Sequence, residues 1–118
     1  MIVITSKYLI PQGYTAMALY PFIIVRDAQL ATNAVLLNHE RIHLRQQLEM
    51  FILPFYIWYI VEYYIRLLQY RNGRLAYRNI SFEREAYTNE ANFTYLKRRP
   101  FWRFLNYLHK QTGAKNNL

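Results

Sequence analysis

The segment His39-Glu40-Arg41-Ile42-His43 constrains this chain more than any other. Two imidazoles four residues apart lie on one face of an α-helix, one turn apart, where they can grip a single ion. The flanking residues repeat at helical spacing. Val35, Leu36, His39, Ile42, His43, Gln46 and Met50 recur at three- and four-residue steps, which marks one face of a helix running to about Phe51. Thr32 or Asn33 can cap this helix, which then begins near Ala34. The apolar residues Val35, Leu36 and Leu37 precede the motif, so the helix leads out of a core.

Upstream, residues 1–27 read as β structure. Met1 to Thr5 is a short β-branched run that Lys7 to Ile10 can extend, and Pro11-Gln12-Gly13 signals a turn. Tyr14 to Arg26 is rich in aromatic and β-branched residues. Pro21 makes it an edge strand or splits it in two. Two or three short antiparallel strands are expected here. Downstream, Pro54 marks a kink or the start of a second helix, over Phe55 to Tyr70, in which Glu62 and Arg66 sit four residues apart. Arg71-Asn72-Gly73 is a stop signal, with Gly73 suited to a left-handed cap. Ser81 can cap a third helix from Phe82 to Lys97, and Arg98-Arg99-Pro100 breaks it. Phe101 to Lys110 reads as a last short helix and 111–118 as a frayed tail. The expectation is an α+β fold in one domain spanning 1–118. A small N-terminal antiparallel sheet (1–27) packs on three to four helices (33–110), with the histidine motif on the first long one.

The 118 residues suffice for one modest core. Cysteine is absent, which excludes disulfides and thiolate ligands and leaves any metal to histidine and carboxylate. Zinc held in this way needs a third protein ligand and an open fourth position to be catalytic. The candidates are Glu83, Glu85, Glu90 and His109. A helix antiparallel to the first can present one carboxylate of Glu83-Arg84-Glu85 to both imidazoles. Glu40, beside the first histidine, can reach a water on the ion without being a ligand. The ion lowers the pKa of that water and Glu40 takes its proton. In a shuffled chain of this composition the His-Glu-x-x-His pattern arises on the order of a few times per thousand sequences. The competing reading is a surface helix with two solvated histidines.

His39-Glu40-x-x-His43 followed by Glu83-x-Glu85-Ala86 resembles the gluzincin metallopeptidases, in which the third ligand is a Glu on a later helix. It is most similar to the branch whose later helix reads Glu-x-x-Ala-Asp, including membrane-embedded prenyl-protein and heat-shock proteases. In size the chain is closer to the minigluzincins, minimal single-domain members. The resemblance covers about a dozen residues. It implies that His39, His43 and Glu83 are zinc ligands and Glu40 the general base, with Glu85 replacing Glu83 if the register differs. It also implies an extended peptide or protein substrate paired with an edge strand, for which Tyr14 to Arg26 is the candidate. The branch has Asp where this chain has Tyr87. That Asp normally orients a metal-bound His, so the group behind that His must differ here. Tyr87 is left to contact the site or to polarise a substrate carbonyl. The order of segments is also similar to that of a group of small bacterial proteins, which implies no activity.

A formal charge of +8 favours anionic partners. Twelve tyrosines suit surfaces that are apolar with a wet rim, such as clefts or membrane interfaces. Met50 to Val61 carries no charge but falls short of the about 20 apolar residues of a membrane span. Extending it would bury Glu62 and Arg66, each at about 2.5–3.5 kcal/mol. A core helix, or one touching an anionic membrane surface, is the less costly arrangement. Lys97 to Phe104 mixes bases with aromatics and reads as a docking helix with core aromatics and solvated charges. No nucleic-acid module accompanies it, so nucleic acid is not the expected partner. The N-terminus lacks a basic start with a long apolar run, so the expected location is cytoplasmic, with peripheral inner-membrane contact left open. The expected activity is amide hydrolysis by a zinc metallopeptidase. The alternative is a non-enzymatic basic, aromatic interaction module with an incidental or structural metal site. Oligomeric state is open.

Overall fold

The computed structural model describes residues 2–108, strands first and helices after. The fold is α+β. Strands β1 (Ile2–Thr5), β2 (Ala16–Leu19) and β3 (Phe22–Val25) form one sheet in the order β1-β3-β2. β2 and β3 make an antiparallel hairpin, with Ala18 opposite Ile23. β1 runs parallel to β3, with Val3 opposite Ile23. The sheet is therefore mixed, where antiparallel pairing alone was expected. Lys7 to Ile10 does not extend β1, and residues 6–15 carry the chain away from it. The hairpin strand β2 then lies within the crossover that a parallel β1–β3 pair requires. Pro21 splits Tyr14 to Arg26 into two strands, and only β2 is an edge. β3 is central, and its Ile23, Ile24 and Val25 are all buried. Such an unbroken apolar run is what a strand covered on both faces needs.

Helix α1 (Ala34–Glu49) is capped by Asn33, whose side chain accepts the Leu36 N–H. α2 (Leu53–Tyr70) leaves α1 at a bend of 113°. Pro54 does not make that corner. It lies in the first turn of α2, where its missing N–H is no loss. Phe51 and Ile52 make it, both with positive φ (58° and 66°). The left-handed cap of α2 falls on Arg71 rather than Gly73. Asn72 instead caps α3 (Gly73–Arg78), accepting the N–H groups of Arg74 and Leu75, which places Gly73 inside that helix.

α4 (Ser81–Asn89) stops well before Lys97, and a separate turn of helix, α5 (Tyr95–Arg98), follows. Ser81 is the first residue of α4 and not its cap. Both its N–H and its hydroxyl donate to the Glu62 carboxylate of α2, each at 2.6 Å. A buried carboxylate is stable there because it meets the positive end of α4 and the Arg66 guanidinium at 3.2 Å. The two charges set into the apolar segment thus anchor α2 to α4. Within the described part of Phe101 to Lys110, the chain forms a short 3₁₀ turn, Arg103–Tyr107. Its Phe104 completes a core of Met50, Phe55, Ile80 and Phe82, against which Trp58 and Trp102 pack. Residues 109–118, including His109, Lys110 and the tail read as frayed, lie outside the described residues. Among the described residues no single helix is long and apolar enough to cross a membrane.

Candidate metal centre

α1 presents His39 and His43 one turn apart, and α4 crosses it carrying Glu83. Nε2 of His39 and Nε2 of His43 are 3.2 Å apart, and each is 3.1 Å from Oε1 of Glu83. All three residues are buried. A tetrahedral zinc ion with bonds of about 2.0–2.1 Å separates its ligand atoms by about 3.3–3.4 Å. The three atoms therefore need to part only slightly to coordinate one ion.

The hydrogen bonds behind the imidazoles decide which lone pairs face inward. Nδ1 of His39 lies 2.7 Å from Oε1 of Glu90, an acceptor, so Nδ1 carries the proton and Nε2 is free to coordinate. Nδ1 of His43 lies 2.8 Å from Oε1 of Gln46. The Gln46 amide nitrogen is committed to the Phe82 carbonyl at 3.1 Å and to Glu85 at 3.0 Å, so its oxygen must face His43. His43 Nε2 is then also a lone pair. The other oxygen of Glu83 accepts the Tyr59 hydroxyl at 2.6 Å. Three acceptors in mutual contact repel one another unless a proton or a cation lies among them. With a proton only, burial by itself would lower the His43 pKa, but the Glu83 carboxylate overrides this and pushes it up to about 9. The same imidazoles outweigh burial at Glu83 and hold it well below the usual carboxylate range.

The other expected residues are placed as follows. Glu85, two positions from Glu83, turns away from the imidazoles. It pairs with the Arg99 guanidinium and accepts the Tyr95 hydroxyl at 2.6 Å and the Gln46 amide. Arg99 also pairs with Glu49, so this charge of the basic segment is buried rather than solvated. Glu90 contacts His39 from behind and is not placed as a third ligand. It supplies the orienting carboxylate that Tyr87 cannot. The Tyr87 ring packs edge-on against His39, with centroids 4.5 Å apart, and the Arg78 guanidinium lies 3.8 Å above it. Its hydroxyl meets that of Tyr77 at 3.4 Å. Asn38 holds the end of α4 in register by donating to the carbonyls of Glu90 and Asn92 at 2.8 and 3.1 Å.

Glu40 is buried, and among the described residues no hydrogen bond engages its carboxylate. It lines two cavities, one bordered by His43 and Glu83 and the other by His39. One, of about 390 Å³, is walled by Met17, Phe55, Tyr56, Tyr59 and Tyr63. The other, of about 380 Å³, is more polar and includes Asn33, Arg74, Tyr87 and Glu90. Tyr14 and Tyr77 line both and touch edge-on between them, with ring centroids 5.6 Å apart. Arg26 holds the Tyr14 turn in place through the carbonyls of Pro11 and Tyr14, at 2.7 and 2.9 Å. β2 borders both cavities at Ala16. Arg26 N–H bonds Thr15 across the hairpin, so by alternation Ala16 and Ala18 direct their backbone groups outward. The Ala18 carbonyl is already taken by Gln47 and Tyr56, both at 2.9 Å.

Comparison with protein-family models, curated proteins and solved structures finds no match to this chain. The donor set stands on its own chemistry. A buried His39, His43 and Glu83 group could hold a metal ion. Two oriented imidazole nitrogens and a carboxylate oxygen suit zinc or another divalent transition metal. The sequence carried His39, Glu40, His43 and Glu83 in its motifs. It placed Gln46 on the same helix face as the two histidines without assigning it a role, and gave no sign of Tyr59 or Tyr77 at the site beyond a tyrosine content suited to a cleft.

Proposed function

We propose that this chain is a zinc-dependent hydrolase, a small metallopeptidase with His39, His43 and Glu83 as ligands and Glu40 as general base. One observation carries the reading: the three inward lone pairs stand beside an uncommitted buried carboxylate, Glu40, that lines both the cavity bordered by His43 and Glu83 and the cavity bordered by His39. Structural zinc sites are closed by four protein ligands, whereas catalytic ones keep a position open. Zinc bound here would polarise a substrate carbonyl and make its water acidic enough to attack near neutral pH.

The residues of the chain do the rest. Burial raises the Glu40 carboxyl above its ordinary range, against the pull of the two imidazoles, and so makes it a better base. Glu40 accepts the proton of the attacking water and returns it to the leaving amine. Tyr77 borders both cavities and is better placed than Tyr87 to reach substrate. An extended peptide can lie along the outer edge of β2, using the Ala16 backbone groups, with an apolar side chain in the Phe55–Tyr63 cavity. The resemblance of His39-Glu40-x-x-His43 and Glu83-x-x-Ala86 to the gluzincins supports the same assignment.

The test is metal analysis combined with turnover of a fluorogenic peptide library. Wild type should hold one zinc per chain and cleave members with bulky apolar side chains. Glu40→Gln should keep the zinc and lose cleavage, and His43→Ala should lose both. Zinc retention without cleavage in any wild-type preparation would favour a structural metal site, and failure to bind zinc at all would end the proposal.

A further inference from the structure

We infer that the outer face of α2 docks on an anionic lipid surface. This stands apart from the hydrolase reading and uses none of its residues. Leu53, Ile57, Ile60, Tyr64 and Leu68 lie along one side of α2, each between 55 and 80 % exposed. At a rise of about 1.5 Å per residue, this uncharged strip from Leu53 to Leu68 runs about 22 Å. The two charges of the helix, Glu62 and Arg66, are buried on the opposite side. A groove of about 570 Å³ opens beside the strip between Ile57, Val61 and Ile65, walled by Met50 and Trp58, and the Glu62–Arg66 pair also lines it. An exposed apolar face of this extent marks an interaction surface.

Charge selects the partner. Five of the seven acids are buried, and Glu90 is half-buried against His39, which leaves Asp27 as the exposed acid. Of the described Lys and Arg residues, only Arg66, Arg84 and Arg99 are buried. The surface is thus more one-sidedly cationic than the net charge suggests. Cations also stand at both ends of the strip. Exposed Arg71 closes the C-terminal end of α2. At the other end, the Arg99–Glu49 pair anchors the basic segment next to the corner that opens α2, with Lys97, Arg98 and Phe101 exposed. An apolar strip between cationic ends fits acyl chains below and anionic headgroups beside them. A second copy would bring two cationic rims together, and a polyanion such as nucleic acid would leave the strip uncovered. The helix is too short and too firmly anchored by Glu62 to cross the bilayer, so it lies in the interface plane.

The test is co-sedimentation of the full chain with vesicles of phosphatidylcholine, with and without phosphatidylglycerol. Binding should be at least tenfold tighter with phosphatidylglycerol and should weaken with salt. Ile60→Asp/Leu68→Asp should reduce it at least tenfold while leaving the melting temperature and zinc content unchanged. Arg71→Glu/Lys97→Glu/Arg98→Glu should also reduce it and flatten the salt dependence. Absence of vesicle binding overturns the inference. So does binding that survives Ile60→Asp/Leu68→Asp, which would mark a polyanion site without the strip. A soluble dimer that Ile60→Asp/Leu68→Asp dissociates would assign the face to a second copy and overturn it as well.

Discussion

The side-chain oxygen of Gln46 holds Nδ1 of His43 at 2.8 Å, three residues along the same helix. Gln46 is fully buried, and its nitrogen is locked by the Phe82 carbonyl and by Glu85, so the amide cannot flip. His43 is thereby fixed in one tautomer and one ring orientation. The restraint continues from Gln46 through Glu85 to Arg99 and Glu49, which ties the metal-facing imidazole to the ion pairs that close the core.

Gln46 and Glu90 should therefore differ in what they contribute. Loss of such an orienting partner usually lowers metal affinity about 10–100-fold. Glu90 is half-buried, so water can replace its carboxylate in Glu90→Ala and the loss should fall near the lower end. Gln46→Leu admits no water and takes a donor from the buried Glu85 carboxylate as well, so its loss should reach the upper end. Zinc titration against a competing chelator ranks the two variants, and the reverse order would contradict the assignment of both tautomers.

Arg99 neutralises Glu85 and Glu49 inside the protein. Removing one member of a buried ion-pair group leaves uncompensated charge and typically costs about 3–5 kcal/mol. Arg99→Met should destabilise by that amount in urea denaturation. Exchanging all three residues for apolar ones of similar size should recover much of the loss. A cost below about 1 kcal/mol for Arg99→Met, the usual range for exposed pairs, would show that the cluster is solvated.

These two clusters also show where the sequence was legible. His39, Glu40 and His43 could be placed together because helical geometry alone brings them to one face. Glu83 and Glu85 could not be told apart. Every residue from Ser81 to Ala86 is buried, so α4 has no polar side there to set its rotation. What separates the two acids is Arg99, 14 residues from Glu85 and beyond a chain turn. Glu90 was recognisable as a candidate ligand, but its position behind His39 depends on Asn38 clamping the end of α4. The parallel pairing of β1 escaped the sequence because short apolar runs carry no signal of strand direction. The shortened α4 and displaced left-handed cap arose where Asn72 and the Asn89–Asn92 turn took over local hydrogen bonds.

The corner between α1 and α2 is held at a conformational cost. Phe51 has φ 58° and is 84 % exposed, so it gains little from packing while occupying the left-handed region. That region disfavours L-residues by roughly 1–2 kcal/mol, whereas glycine enters it freely. Glycine also loses more chain entropy on folding, which offsets part of the gain. Phe51→Gly should therefore be neutral or raise stability by up to about 1 kcal/mol, despite deleting a large apolar side chain. Thermal denaturation decides it. A clear loss would mean that the Phe51 ring packs against something in solution.

Acidity should stabilise the metal-free protein over a pH range in which it leaves the metal-loaded protein level. Without metal, the His43 pKa stands near 9 against an ordinary 6.5. A group whose pKa is raised by folding adds stability in full below its unfolded value and loses it as pH rises through the folded one. The chelated protein should accordingly lose stability between about pH 6.5 and 9. Metal binding instead requires the His43 lone pair, so it must release that proton. Apparent affinity should rise about tenfold per pH unit over the same interval and level off above it. Zinc-loaded and chelated samples, melted side by side from pH 6 to 9.5, should thus diverge as the solution becomes alkaline. Curves that ran parallel would mean that His43 holds no proton to exchange, and that Glu83 does not face it as described.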